Sequence, residues 1–127
     1  MTLHPDAEHW KNVGRERGSD ARKLRDADRR IGAVYMMGYV VEAYAKALAR
    51  QRGHRTPKTY AGHDLIGLLE LSGIKGSDLP PNLRKFAMER DVALRYQVSL
   101  PAGMDFISTY DGGSALVAYI SKRLRRP

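Results

Sequence analysis

The chain has 127 residues, no cysteine and a net charge of +8, from 22 Lys and Arg against 14 Asp and Glu. That length supports one hydrophobic core, and the missing thiols exclude a disulfide framework, a thiolate nucleophile and Cys-based zinc or iron–sulfur sites. Hydrophobic residues at 43% and charged residues at 28% are ordinary globular values and argue against disorder.

The N-terminal Met1 to Asp6 lacks the apolar stretch of a secretion signal. The longest uncharged run of the N-terminal half, Ile31 to Val41, is about half of what a bilayer crossing needs. A cytoplasmic protein with a single helical domain over residues 1–127 is expected. The positive charge is concentrated in residues 1–60, which hold 13 basic and 7 acidic groups, against 9 and 7 in residues 61–127. Two clusters stand out, Arg22-Lys23-Leu24-Arg25 with Arg29-Arg30, and Lys122-Arg123-Leu124-Arg125-Arg126. Arginine outnumbers lysine, which suits planar recognition of phosphate, although a solvated surface has the same composition.

Helical spacing recurs along the chain and strand alternation does not. Asp6 to Arg30 is polar with scattered anchors at Ala7, Trp10, Val13, Ala21, Leu24 and Ala27. It predicts one helix, with a break near Gly14 and Gly18 and a restart capped by Ser19 or Asp20. Ile31 to Gln51 carries apolar residues at 33, 37, 40, 44, 47 and 48, widened by 34, 41 and 45, so this helix should be mostly buried. Gly53 ends it. A third helix is expected from His63-Asp64 to Gly73, and a fourth after Pro80-Pro81 through Leu83, Phe86, Ala87, Ala93 and Leu94. Ser99 to Gly113, bracketed by Pro101, Gly103 and Gly112-Gly113, reads as an irregular loop. The last helix is expected from Ser114 to Arg126. The fold class is therefore all-α, an up-and-down bundle of four to five helices.

Strong chemical motifs are absent. No Gly-rich phosphate loop precedes a Lys and Ser/Thr pair, and no two histidines stand four residues apart, so no metal site and no cofactor is expected. Tyr35, Tyr39 and Tyr44 lie on the buried helix and read as core. Two charges interrupt apolar faces instead. Arg90 falls on the stripe of the fourth helix, and Glu42 lies on the second, followed four residues later by Lys46. A charge so placed must be paired or stand at an opening. One reading is a Glu42–Arg90 ion pair that fixes register; the other is a polar groove floor in which Glu42 supports an Arg90 available to phosphate. Asp91 projects differently and is expected to pair with Arg95 four residues on, an ordinary surface contact. His63 serves as a helix-start cap or as part of a site, and Tyr96 as a packing residue or a site residue.

Ala33 to Leu48, with Gly38-Tyr39 and Glu42 spaced before Lys46-Ala47, followed by Gly62-His63-Asp64-Leu65 and Leu68-Leu69, resembles the HEPN superfamily. Arg95-Tyr96 resembles the Arg-Tyr of short prokaryotic members. The resemblance covers about Ser19 to Tyr96. It implies an up-and-down bundle, a homodimer, and a place in toxin–antitoxin or antiviral modules beside a small nucleotidyltransferase. It also implies RNA as partner, because many members are metal-independent endoribonucleases whose Arg holds the scissile phosphate while a His four to six residues further on assists the ribose 2′-hydroxyl. Here Arg90-Asp91 matches the first half, but positions 95, 96 and 97 are Arg, Tyr and Gln. Without that imidazole the natural proton carrier near neutral pH is gone, and His63 or Tyr96 would have to replace it. The expectation is an RNA-binding HEPN-like protein using Arg90, Arg95 and Lys46, supported by Glu42 and Asp91, with ribonuclease action not favoured. The alternative is a non-catalytic partner or scaffold for a nucleotidyltransferase or antitoxin.

Overall fold

The computed structural model describes residues 6–54, 65–89 and 98–124. They form five α-helices: α1 (Ala7–Asp26), α2 (Arg30–Gln51), α3 (Leu65–Leu71), α4 (Pro81–Glu89) and α5 (Phe106–Leu124), with a 3₁₀ turn at Gly76–Asp78 before α4. The fold is all-α, a helical bundle as the periodicity requires. Among the described residues no helix is long and apolar enough to cross a membrane.

α2 is the centre. Thirteen of its 22 residues are buried, including Met37, Val40, Val41 and Leu48 from the expected stripe. It packs against α1, α3 and α5, while α4 closes the bundle against α5 and α3. Leu65, Leu68 and Leu69 of α3, Leu83 and Phe86 of α4, and Leu116 and Ile120 of α5 complete one continuous core around it. Each deeply buried side chain of this size contributes about 1.5–3 kcal/mol of hydrophobic stabilisation.

α1 and α2 form an antiparallel pair joined by a three-residue turn. Asp6 starts α1, its carboxylate accepting the His9 backbone N–H at 2.9 Å. At the other end the Arg29 N–H donates to the Leu24 carbonyl (2.8 Å) and the Asp28 N–H to that of Arg25 (3.0 Å). Asp28, at φ 59°, takes the left-handed position of this closure, which Asp tolerates better than most residues. Gly53 (φ 85°) and Gly73 (φ 84°) end α2 and α3 in the same way, where their sequence positions placed the stops.

Two expectations are corrected. α1 runs unbroken through Gly14, Gly18, Ser19 and Asp20. A Cβ on Gly14 would lie 2.6 Å from the Tyr44 ring, and one on Gly18 would be 3.9 Å from Val40. Gly14 sets the close approach of α1 to α2, whereas a Cβ on Gly18 would meet only ordinary van der Waals contact, and the packing at Gly14 outweighs its cost of about 1 kcal/mol in a helix interior. Similarly, Phe106 to Gly113 is helix and not loop: α5 begins eight residues before Ser114, with the Asp105 carboxylate accepting the Ser108 N–H at 2.8 Å. That hydrogen bond holds the Asp105 carboxyl below the usual carboxylate range, with lesser help from Arg30 and Lys85. Gly112 and Gly113 are buried where α5 crosses α4 and α2. The expected His63-Asp64 opening of α3, the continuation of α4 through Ala93 and Leu94, and the last helix beyond Leu124 lie outside the described residues.

Candidate functional site

Of the residues singled out for function, Glu42 and Lys46 are described. His63, Arg90, Asp91, Arg95 and Tyr96 lie outside the described residues, and with them the arginine side of the expected Glu42–Arg90 pair. Glu42 and Lys46 are one turn apart on α2, with Oε2 and Nζ at 3.3 Å and each side chain only 11% exposed. The Lys46 ammonium also sits 4.5 Å from the centroid of the Trp10 ring on α1, a cation–π contact. Two charges thus enter an apolar helix because each meets the other and the cation meets an aromatic face. The pair stands at the wall of a cavity of about 360 Å³ between α1 and α2, shared with Trp10, Val13, Arg17, Met36, Tyr39 and Ala43. The Tyr39 hydroxyl lies 2.8 Å from that of Tyr35. The carboxylate beside the ammonium removes much of the attraction for an anion, so this cavity suits register and packing more than phosphate capture.

A second recess, about 370 Å³, opens where α1, α2 and α5 meet. α1 lines it with Gly14, Arg15, Gly18, Arg22 and Arg25, α2 with Met37, Val40 and Tyr44, and α5 with Tyr110, Ser114 and Val117. The stripe 14, 18, 22, 25 follows one helix face, so the glycines form its floor and the arginines its continuation. The Arg25 guanidinium lies 5.4 Å from the Tyr110 ring centroid and its Nε 3.1 Å from Asp26. Arg15 donates to the Asn12 side chain at 2.6 Å and stands 3.8 Å from Glu8. Arg22 is exposed and forms no ion pair with any described residue.

Burial pushes the Tyr110 phenol above the usual tyrosine range, partly opposed by Arg25 and Arg22. Because its folded-state pKa is raised, its contribution to stability is intact below the unfolded value of about 10 and is lost as pH rises through the folded one. The melting temperature should therefore fall more steeply above about pH 10 in the wild type than in Tyr110→Phe. Equal slopes in the two proteins would show that the phenol does not ionise in place.

The HEPN domain family model matches residues 7–99. The chain belongs to the HEPN family. Comparison with curated proteins and with solved structures finds no match. The matched span takes in α1 to α4, whereas α5 follows it in sequence. The HEPN segment therefore supplies two walls of the arginine-lined recess, and the third comes from beyond the family match. Among the described residues no three His, Asp or Glu side chains converge in a way that could hold a metal ion.

Sequence reasoning marked Arg22 and Arg25 only as a charge cluster and missed the recess. Tyr110 lies inside a segment that reads as loop, and Tyr44, packed against the core as its helix position predicts, also borders the recess. One signal was available: the succession Gly14, Gly18, Arg22, Arg25 at helical spacing, small residues running into cations on one face.

Proposed function

We propose that this HEPN domain binds RNA, with Arg90, Arg95 and Tyr96 contacting the phosphate backbone, as a homodimer in a toxin–antitoxin or defence module. The observation that supports it most directly is a chain of net charge +8 that carries a HEPN domain and whose first helix exposes Arg15, Arg17, Arg22, Lys23 and Arg25. Phosphate contacts of this kind supply most of the sequence-independent affinity for nucleic acid. His63 and Tyr96 are the residues that would have to carry a proton if the protein also cleaves. Lys46 is the further candidate for phosphate, with Glu42 and Asp91 as supporting residues. Cleavage is not part of the main reading, since the histidine of the nuclease motif is replaced by Arg95, Tyr96 and Gln97.

The test is RNA binding and RNA degradation in excess chelator, with the wild type beside Arg90→Ala. Binding that Arg90→Ala abolishes, at an unchanged melting temperature, is the expected result. A variant that binds RNA as well as the wild type, or that merely unfolds, overturns the assignment of Arg90. Chelator-resistant cleavage that disappears with Arg90 would add nuclease activity, and His63→Ala and Tyr96→Phe would then identify the proton carrier.

The missing motif histidine also favours a second reading, a non-catalytic partner whose basic surface meets an acidic protein such as an antitoxin or a nucleotidyltransferase. A nucleotidyltransferase encoded next to this chain, and co-purification of the two at the expense of RNA binding, would select it.

A further inference from the structure

We propose that the recess between α1, α2 and α5 is a phosphate-binding track for single-stranded RNA, built from residues other than Arg90, Arg95 and Tyr96. It rests on the RNA-binding reading and extends it to a second set of contacts.

Arg15, Arg22 and Arg25 line one side of the recess. Ten residues separate the first from the last, which is about 15 Å along a helix, enough to follow several backbone phosphates. Gly14 and Gly18 carry no side chains, so the floor of the recess is backbone, with the Tyr44 ring packed against Gly14 and the Arg22 guanidinium near Gly18. Ser114 offers an exposed hydroxyl from the opposite wall.

The charge balance at the recess is favourable. No carboxylate stands among its described lining residues; Glu8, Asp26 and Asp111 lie around it, the first two beside Arg15 and Arg25. Arg22 is the uncommitted group, with no described acid to hold it. All the basic residues are arginines, whose planar fork matches two phosphate oxygens. A row of arginines bordered by an aromatic side chain, the half-buried Tyr44, is the combination that single-strand tracks use.

The experiment measures fluorescence anisotropy of a short labelled single-stranded RNA at several salt concentrations. The proteins are the full chain, Arg22→Ala, Arg22→Lys, Arg22→Ala with Arg25→Ala, Ser114→Asp and Arg90→Ala. The double arginine variant should bind about 10- to 100-fold more weakly. The slope of log affinity against log salt should fall by roughly 0.7 for each phosphate that the variant no longer neutralises. Ser114→Asp, which places a carboxylate on the far wall, should weaken binding in the same direction, while Arg22→Lys keeps part of it. Melting temperatures of the Arg22 and Ser114 variants should match the wild type.

Three results would overturn the track. Groove variants that bind like the wild type while Arg90→Ala does not would remove it and leave the RNA reading standing. A wild type that binds no RNA would remove both. Polyglutamate that competes as well as RNA would make the recess a site for acidic protein instead.

Discussion

Gly113→Ala should destabilise the protein by about 2–3 kcal/mol and lower its melting temperature by roughly 5–10 °C. A Cβ at this position would stand 2.8 Å from Cε2 and 2.9 Å from Cζ of Phe86, with the Met37 side chain closer still. Met37 is flexible, but the Phe86 ring is rigid and only 4% exposed, so it cannot swing aside. The better helix propensity of alanine returns about 1 kcal/mol and does not cover the clash. Gly112→Ala is the internal comparison, since its Cβ would approach the Asn82 carbonyl only to 3.2 Å. It should cost visibly less. Trimming the ring in Gly113→Ala with Phe86→Leu should recover part of the loss, because the two changes share one space. A Gly113→Ala protein as stable as the wild type in thermal and urea unfolding would mean that α5 lies farther from α4 than the structure has it.

The second large effect belongs to Glu42. Glu42→Ala leaves the Lys46 ammonium nearly buried without its carboxylate and should cost about 3 kcal/mol. That is the low end for a broken buried pair, because the Trp10 ring still faces the cation. Lys46→Met in the same chain should restore most of the stability, since an unbranched apolar side chain replaces the uncompensated charge at similar volume. Urea unfolding of the two single variants and the double variant gives the coupling energy directly. If the two losses simply add, the pair does not act as a unit. The double variant has a further use. Should it stay folded and lose RNA affinity, Lys46 touches phosphate; should it bind like the wild type, Lys46 serves the fold alone.

Much of the fold was legible in the sequence because α2 is so regular. Apolar residues recur at helical intervals from Ala33 to Leu48, and helix stops stand at Gly53 and Gly73. The two errors arise where Gly14 with Gly18, and Gly112 with Gly113, read as breaks. A glycine that ends a helix and one that lets two helices touch have the same single-residue signature. What separates them is the partner: nothing lies within 4 Å of a Cβ on Gly53, whereas Tyr44 lies against Gly14 and Phe86 against Gly113. Those contacts join residues 27 to 30 positions apart and leave no local trace.

The candidate site was half legible for a related reason. The buried charges Glu42 and Lys46 were visible because a charge inside an apolar stripe breaks the pattern. The arginine recess was not, because an exposed arginine breaks no pattern. Its third wall depends on α5, whose first two turns carry the glycines and polar residues of a loop.

The central position of α2 has a consequence for the protein during its synthesis. α1 and α2 leave the ribosome before the other three helices and, being sequence neighbours, can pair at once. The face of α2 that packs on α5, with Met37 against Gly113, must then wait for α5, the last of the five described helices to emerge. Until then a strip containing Met37 and Val41 stays in contact with water or with whatever shields nascent chains. Slow translation after α4 would lengthen that exposure, and fast release of α5 would end it.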